Sequence, residues 1–200
     1  MKSLIVCFVL CGSFCFAGYF AQAQTTPAPR SEAAAGANPV TSTVKQIVQR
    51  QERNIVGAAE AMPADKYDYK PTPQQITYGA LMAHIAQSNF FLCSKIGDVS
   101  ASENSKIEGT SGKEKIVSAL KDSFQFCHTA LDKVDDSKLS DEVTMFGGRK
   151  APRAGALIGL TNDFADHYAA AAGYLRLNGI LPPSAQRQQT AAAEAQRPKQ

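Results

Sequence analysis

Four stretches of this chain carry their apolar residues at spacings of three and four, and no stretch shows the strict alternation of a half-buried strand. Few folds are open to such a chain. Each stretch puts one apolar stripe on a helix, and an isolated helix of ~20–25 residues does not hold well in water unless that stripe is covered. The first is predicted from about Ser42 to Met62, with Val44, Ile47, Val48, Ile55, Ala58 and Ala59 on its stripe and Thr41 or Ser42 as its cap. Pro63 and the Tyr67-Asp68-Tyr69-Lys70-Pro71 stretch end it, and Pro71 and Pro73 keep the connection extended. The second is predicted from about Thr72 to Ile96, with Leu81, Ile85, Ser88, Leu92 and Ile96 inward. Thr72-Pro73 reads as its start and Gly97 as its stop. The third, about Lys113 to Val134, has a narrow seam of Val117, Leu120, Phe124, Cys127, Leu131 and Val134. The fourth, about Arg153 to Leu177, turns Leu157, Leu160, Phe164, Ala171, Tyr174 and Leu175 inward. Four such helices in one domain, residues 42–183, imply an all-α four-helix bundle.

The two ends read differently. Residues 1–23 open with Lys2, run apolar from Leu4 to Phe20 and end in Ala21-Gln22-Ala23, the pattern of a cleaved secretory signal peptide. The run is short of the ~20 residues of a membrane span and holds Gly12, Ser13 and Gly18. The expected location is therefore periplasmic or secreted, with no membrane association after cleavage. Residues 24–41, rich in Thr, Pro and Ala, are expected to be a flexible leader, and residues 184–200 a disordered or fraying tail. The formal charge is +3; without Lys2 it is about +2, no electrostatic footprint for nucleic acid. Cleavage would leave two cysteines, Cys93 and Cys127. An oxidising compartment favours a disulfide between them; two small buried side chains are the other reading.

The chain has three histidines. By helical position, His84 shares the inward face of the second helix, three residues after Leu81 and four before Ser88. His167 follows Phe164 by three on the fourth, and Asp163 lies one turn before it. An inward carboxylate is costly unless a positive group meets it. Two imidazoles and a carboxylate converging between helices suit one divalent transition metal, zinc, nickel, iron or manganese, with positions left open for water or substrate. Satisfied core histidines, with Asp163 paired to a cation, are the plainer alternative. His128 reads as a flank residue beside Cys127.

The blocks Met62 to Pro73, with Asp68-Tyr69-Lys70-Pro71, and Thr77 to Ala86, ending in Met82-Ala83-His84-Ile85-Ala86, resemble the DinB/YfiT-like family. So do Asp163-Phe164-Ala165-Asp166-His167-Tyr168 and Tyr174 to Pro183. The resemblance covers roughly Thr43 to Ser184. It implies an up-down-down-up bundle and a divalent metal held by a histidine of the second helix and two histidines one turn apart in the fourth. His84 and His167 match the outer positions; the middle one falls on Asp163, and Ala169 to Ala172 replace the usual glycine and glutamine. The parallel second and third helices of that arrangement would place Cys93 and Cys127 toward one end of the bundle.

The functions implied are a metal-dependent hydrolase or a thiol transferase acting on an unidentified small molecule. Reduced thiol cofactors are cytosolic, so export favours hydrolysis. A non-catalytic binding or stress-related module with a degenerate or empty site is the alternative. A homodimer is compatible with a bundle, but no partner surface stands out in the sequence.

Overall fold

The computed structural model describes residues 38–101 and 103–197. The signal-peptide reading and residues 24–37 of the leader lie outside the described residues. The elements are α1 Pro39–Ala61, α2 Tyr78–Gly97, α3 Lys113–Leu131, β1 Glu142–Thr144, β2 Lys150–Pro152, α4 Arg153–Leu177 and α5 Pro183–Ala195, with short 3-10 turns between. Helix α2 packs against α3 and α4, and α1 packs against the same two. The predicted stripes meet in one core: Val48, Ile55, Leu81, Ile85, Ile96, Leu120, Phe124, Leu131, Leu160 and Phe164 are all buried. Phe124 and Phe164 stack at its centre, ring centroids 5.3 Å apart.

Contacts along the helices fix their directions. Asn89 bonds Ser123, Cys93 joins Cys127, and Gly97 meets Ala130, so α2 and α3 run parallel. Tyr78 lies beside Tyr174 while Arg153 reaches the carbonyl of Ile96, so α4 runs against α2. Glu52 faces His128 and Glu60 faces Lys121, so α1 runs against α3.

The Cys93–Cys127 disulfide joins α2 to α3, with Cα atoms 5.1 Å apart and both residues buried. One turn further along, a Cβ on Gly97 would lie 2.7 Å from the Cα and carbonyl oxygen of Ala130. Gly97 is thus needed for the close approach of two backbones. The helix-ending left-handed residue is Asp98, at φ 50°. The helix does end at Gly97, as expected, but Asp98 rather than the glycine takes the left-handed turn.

Several helix ends depend on residues remote in sequence. The first helix starts at Pro39, so neither Thr41 nor Ser42 caps it. The carboxylate of Asp136, from the loop after α3, accepts from the amides of Val40 and Thr41 at 2.9 and 2.8 Å. An anion at a helix N-terminus meets both unpaired N–H groups and the positive end of the macrodipole. At the other end of α1, the hydroxyls of Tyr78 and Tyr67 donate to the carbonyls of Ala58 and Ala59, both at 2.7 Å, and Lys113 donates to those of Glu60 and Met62. Buried Arg153 likewise donates to the carbonyls of Lys95 and Ile96 and pairs with Asp98 at 2.7 Å, closing the end of α2.

Three local expectations need correction. The second helix begins at Tyr78, capped by Thr77, whose side chain accepts from the amide of Ala80. Pro73 disfavours helix at Thr72 before it, and the helix starts only where Thr77 supplies a cap. Strands β1 and β2 pair antiparallel, Glu142 opposite Pro152, and three residues are too few to display alternation. The expected tail forms α5 as far as Ala195. Its Ala, Gln and Arg residues are good helix formers, and it is anchored by tertiary contacts. Tyr168 donates to Ser184, Arg187 donates to Asn54, and the Pro183 ring sits over Gly57.

Candidate metal centre

Asp163 and His167 lie one turn apart on α4, and His84 lies across from them on the neighbouring α2. Their potential ligand atoms all fall within 4.8 Å of one another. The rings of His84 and His167 have centroids 4.8 Å apart and planes inclined at 49°. His128 is not part of this cluster; it faces Glu52 at 2.8 Å on the α1–α3 flank.

The cluster sits at the bundle surface, which corrects the inward placement of His84. Helix α2 is buried round most of its circumference, including Ala83 and Ile85 on either side of His84. His84 and Gln87 lie in the narrow seam left open, and both are exposed. His167 and Asp163 are largely covered, with side chains 17% and 19% exposed. The site is therefore a carboxylate and an imidazole set into the wall of α4, with a second imidazole above them from solvent.

Hydrogen bonding prepares His167 as a ligand. Its Nδ1 lies 2.7 Å from the carbonyl oxygen of Asp163, one turn back. A carbonyl only accepts, so Nδ1 carries the proton and neutral His167 keeps its lone pair on Nε2. Metal-bound histidines are commonly oriented by such a bond. The carboxylate oxygen Oδ1 of Asp163 is further from Nδ1, at 3.4 Å. Its other oxygen, Oδ2, is buried and has no hydrogen-bond partner. A buried carboxylate oxygen in that state is costly, and a cation would relieve it.

These residues fit a divalent metal in donor type and number. Two donors bonded to one zinc at ~2.0–2.1 Å lie no more than ~4.2 Å apart. Binding therefore calls for a closure on the order of 1 Å, and exposed His84 is the side chain free to make it.

Burial raises the pKa of Asp163 above the ordinary carboxylate value; His167 and His84 lower it in part, and Asp166 adds to the rise. The folded, metal-free chain thus holds this proton more tightly than the unfolded chain. That contribution is fully present below the ordinary carboxylate pKa and is lost as pH rises through the folded value. Asp163→Asn cannot ionise and escapes the loss. In chelator, the variant should melt higher than the native protein at pH 7, and the gap should close toward pH 4. Melts of both across that range check it; a gap that widens as pH falls would reverse the sign.

Side chains outside the expected ligand set stand beside the cluster. His84, Gln87, Ser88, Phe91 and Phe146 line an open cleft of about 280 Å³. Phe91, seven residues after His84, could have been found from helical spacing. Phe146 could not, because the β1–β2 hairpin brings it there.

The fold and site define a class: an all-α bundle with a histidine–carboxylate cluster between two adjacent helices. The family model of the DinB superfamily matches residues 47–170, and the chain belongs to that superfamily. Among solved structures, a DinB-like protein from Bacillus subtilis is similar at 21% identity and TM-score 0.58, covering 70% of this chain and 95% of that one. A DinB-like protein from Bacillus cereus is similar at 16% identity and TM-score 0.61, over 71% and 95%. A mycothiol-dependent maleylpyruvate isomerase is similar at 14% identity and TM-score 0.54, over 64% of this chain but only 59% of the isomerase. At these identities the likeness concerns the fold. No curated protein matches the chain.

Proposed function

We propose that this is an exported metal-dependent protein of the DinB superfamily in which His84, Asp163 and His167 hold one divalent transition metal, and that it acts as a hydrolase on a small molecule. The observation that carries the reading is the meeting of three donor groups, one atom from each within 4.8 Å of the others, at a carboxylate that keeps one buried oxygen without a hydrogen-bond partner. The bound metal would supply Lewis acidity and lower the pKa of a water or thiol nucleophile. The protein's own part is positional. Asp163 brings negative charge to the site, the Asp163 carbonyl holds the His167 ring in its ligating tautomer, and exposed His84 leaves one side open to substrate. The donor set suits zinc, nickel, iron or manganese.

Export is supported by the signal-like first 23 residues and by the disulfide, a bond that persists in oxidising compartments. No helix among the described residues is long and apolar enough to cross a membrane. Thiol transfer is a second chemistry, suggested by the likeness to a mycothiol-dependent isomerase. A binding module without turnover is the competing reading. It is favoured by the cleft itself, whose described lining holds no carboxylate to act as a general base.

The test is elemental analysis of protein purified without a histidine tag. About one equivalent of a transition metal is expected, and none would sink the proposal. Chelator-sensitive turnover in a panel of small esters and amides would support the hydrolase. Turnover only with an added low-molecular-weight thiol would favour the transferase. Bound metal with no turnover in either panel would favour the binding module.

A further inference from the structure

The cleft beside His84 has one wall that the metal reading leaves unused. Phe146 lies at the turn of the β1–β2 hairpin, followed by Gly147 at φ 66° and Gly148 at φ 77°. The turn is built rather than loose: the amide of Met145 donates to the carbonyl of Arg149 at 2.7 Å, and Val143 below it is buried in the core. The hairpin thus holds Phe146 over the open seam of α2, where its ring stacks on Phe91 with centroids 3.6 Å apart and planes at 19°. The Lys95 ammonium lies 5.4 Å from the centroid of Phe91 and helps hold that ring in place. Phe146 nonetheless stays 64% exposed, among the most exposed large apolar residues described.

An exposed phenylalanine on a hydrogen-bonded turn, stacked on a second ring, is an apolar surface kept in position without being covered. Its cleft shares His84 with the cluster, so a ligand whose head reached the metal would lay its adjoining part along this wall. At about 280 Å³ the cleft is at the lower end of small-molecule sites. A cavity of roughly 150 Å³ already holds benzene, so the room suits one ring with short substituents. Aromatic faces favour another ring, because offset stacking adds to the area buried.

We propose that Phe146 and Phe91 form the specificity wall of this site, and that the substrate carries an aromatic ring next to the group that meets the metal. This rests on the metal reading of His84, Asp163 and His167.

The test uses two metal-seeking probes that differ only in the ring, acetohydroxamate and benzohydroxamate, titrated calorimetrically into the zinc-loaded full chain. Their affinities for free zinc serve as the reference. Benzohydroxamate should bind about tenfold tighter after that correction, about 1.4 kcal/mol. Phe146→Ser should reduce the preference to about twofold or less, with the zinc content unchanged. Phe146 is at an exposed turn, so the variant is expected to fold, and its melting curve checks this. Equal binding of the two probes to zinc-loaded protein overturns the aromatic wall and leaves the metal reading intact. A preference that survives Phe146→Ser also overturns it. Failure of the chain to take up zinc, nickel, iron or manganese overturns both.

Discussion

Replacement of Cys93 and Cys127 by alanine, or reduction of their disulfide, is expected to lower unfolding stability by about 3–4 kcal/mol and the melting temperature by roughly 10 °C. The bridge closes a loop of 34 residues, for which the chain-entropy model gives about 4 kcal/mol. That loop contains the whole connection from Asp98 to Gly112, a Ser-, Gly- and Asn-rich stretch with little apolar content. In the unfolded chain it is long and free; the disulfide removes much of that freedom before folding begins. Among the contacts that remain between the two helices are the Asn89–Ser123 hydrogen bond, the Phe90–Phe126 ring pair and the close approach of Gly97 to Ala130. They require α2 and α3 to be parallel and in register, an arrangement that no short turn can produce. Denaturant titrations with and without reductant measure the effect. A loss below about 1 kcal/mol would show that the helices dock as firmly without the bridge.

His167→Ala should weaken divalent-metal binding by more than about 100-fold. Disturbing a residue that merely orients a ligand already costs about 10–100-fold, and removing a ligand costs more. His167 is largely covered and held through Nδ1, so no neighbour can replace its Nε2. His84→Ala should act in the same direction. Its exposed ring has less to hold it, so water substitutes more readily and the loss should be smaller. His128→Ala is the control. It breaks a flank pair with Glu52 and should change metal affinity less than twofold, with at most about 1 kcal/mol of stability lost. Competition against a metallochromic chelator gives all three affinities. If His128→Ala proves the damaging change, the metal lies elsewhere.

Much of the bundle was legible because helix periodicity is local information. The fourth helix runs from Arg153 to Leu177 as its stripe predicts, and the third starts at Lys113. At two of the misses a remote residue had decided the matter. Asp136 caps α1 from nearly a hundred positions away, and α5 is held by Tyr168 and Asn54 rather than by an apolar stripe of its own. The site was legible in part. Asp163 and His167 share a helix and so a face, which spacing reveals. The inward placement of His84 failed because a helix buried on three sides has no single stripe, and spacing from Leu81 does not say which narrow seam stays open.

By itself the sequence determined four helices, the core stripes, the pairing of Asp163 with His167 one turn apart, and the two cysteines that could be joined. These follow from the 3.6-residue period, which acts over one or two turns of chain. The tertiary structure alone decided that His84 approaches that pair from an open seam, that Asp163 Oδ2 is buried without a partner, and that a hairpin carries Phe146 to the same cleft. Those are relations between elements. They depend on how helices pack and which faces remain uncovered, and side-chain spacing within one helix carries no record of its neighbours.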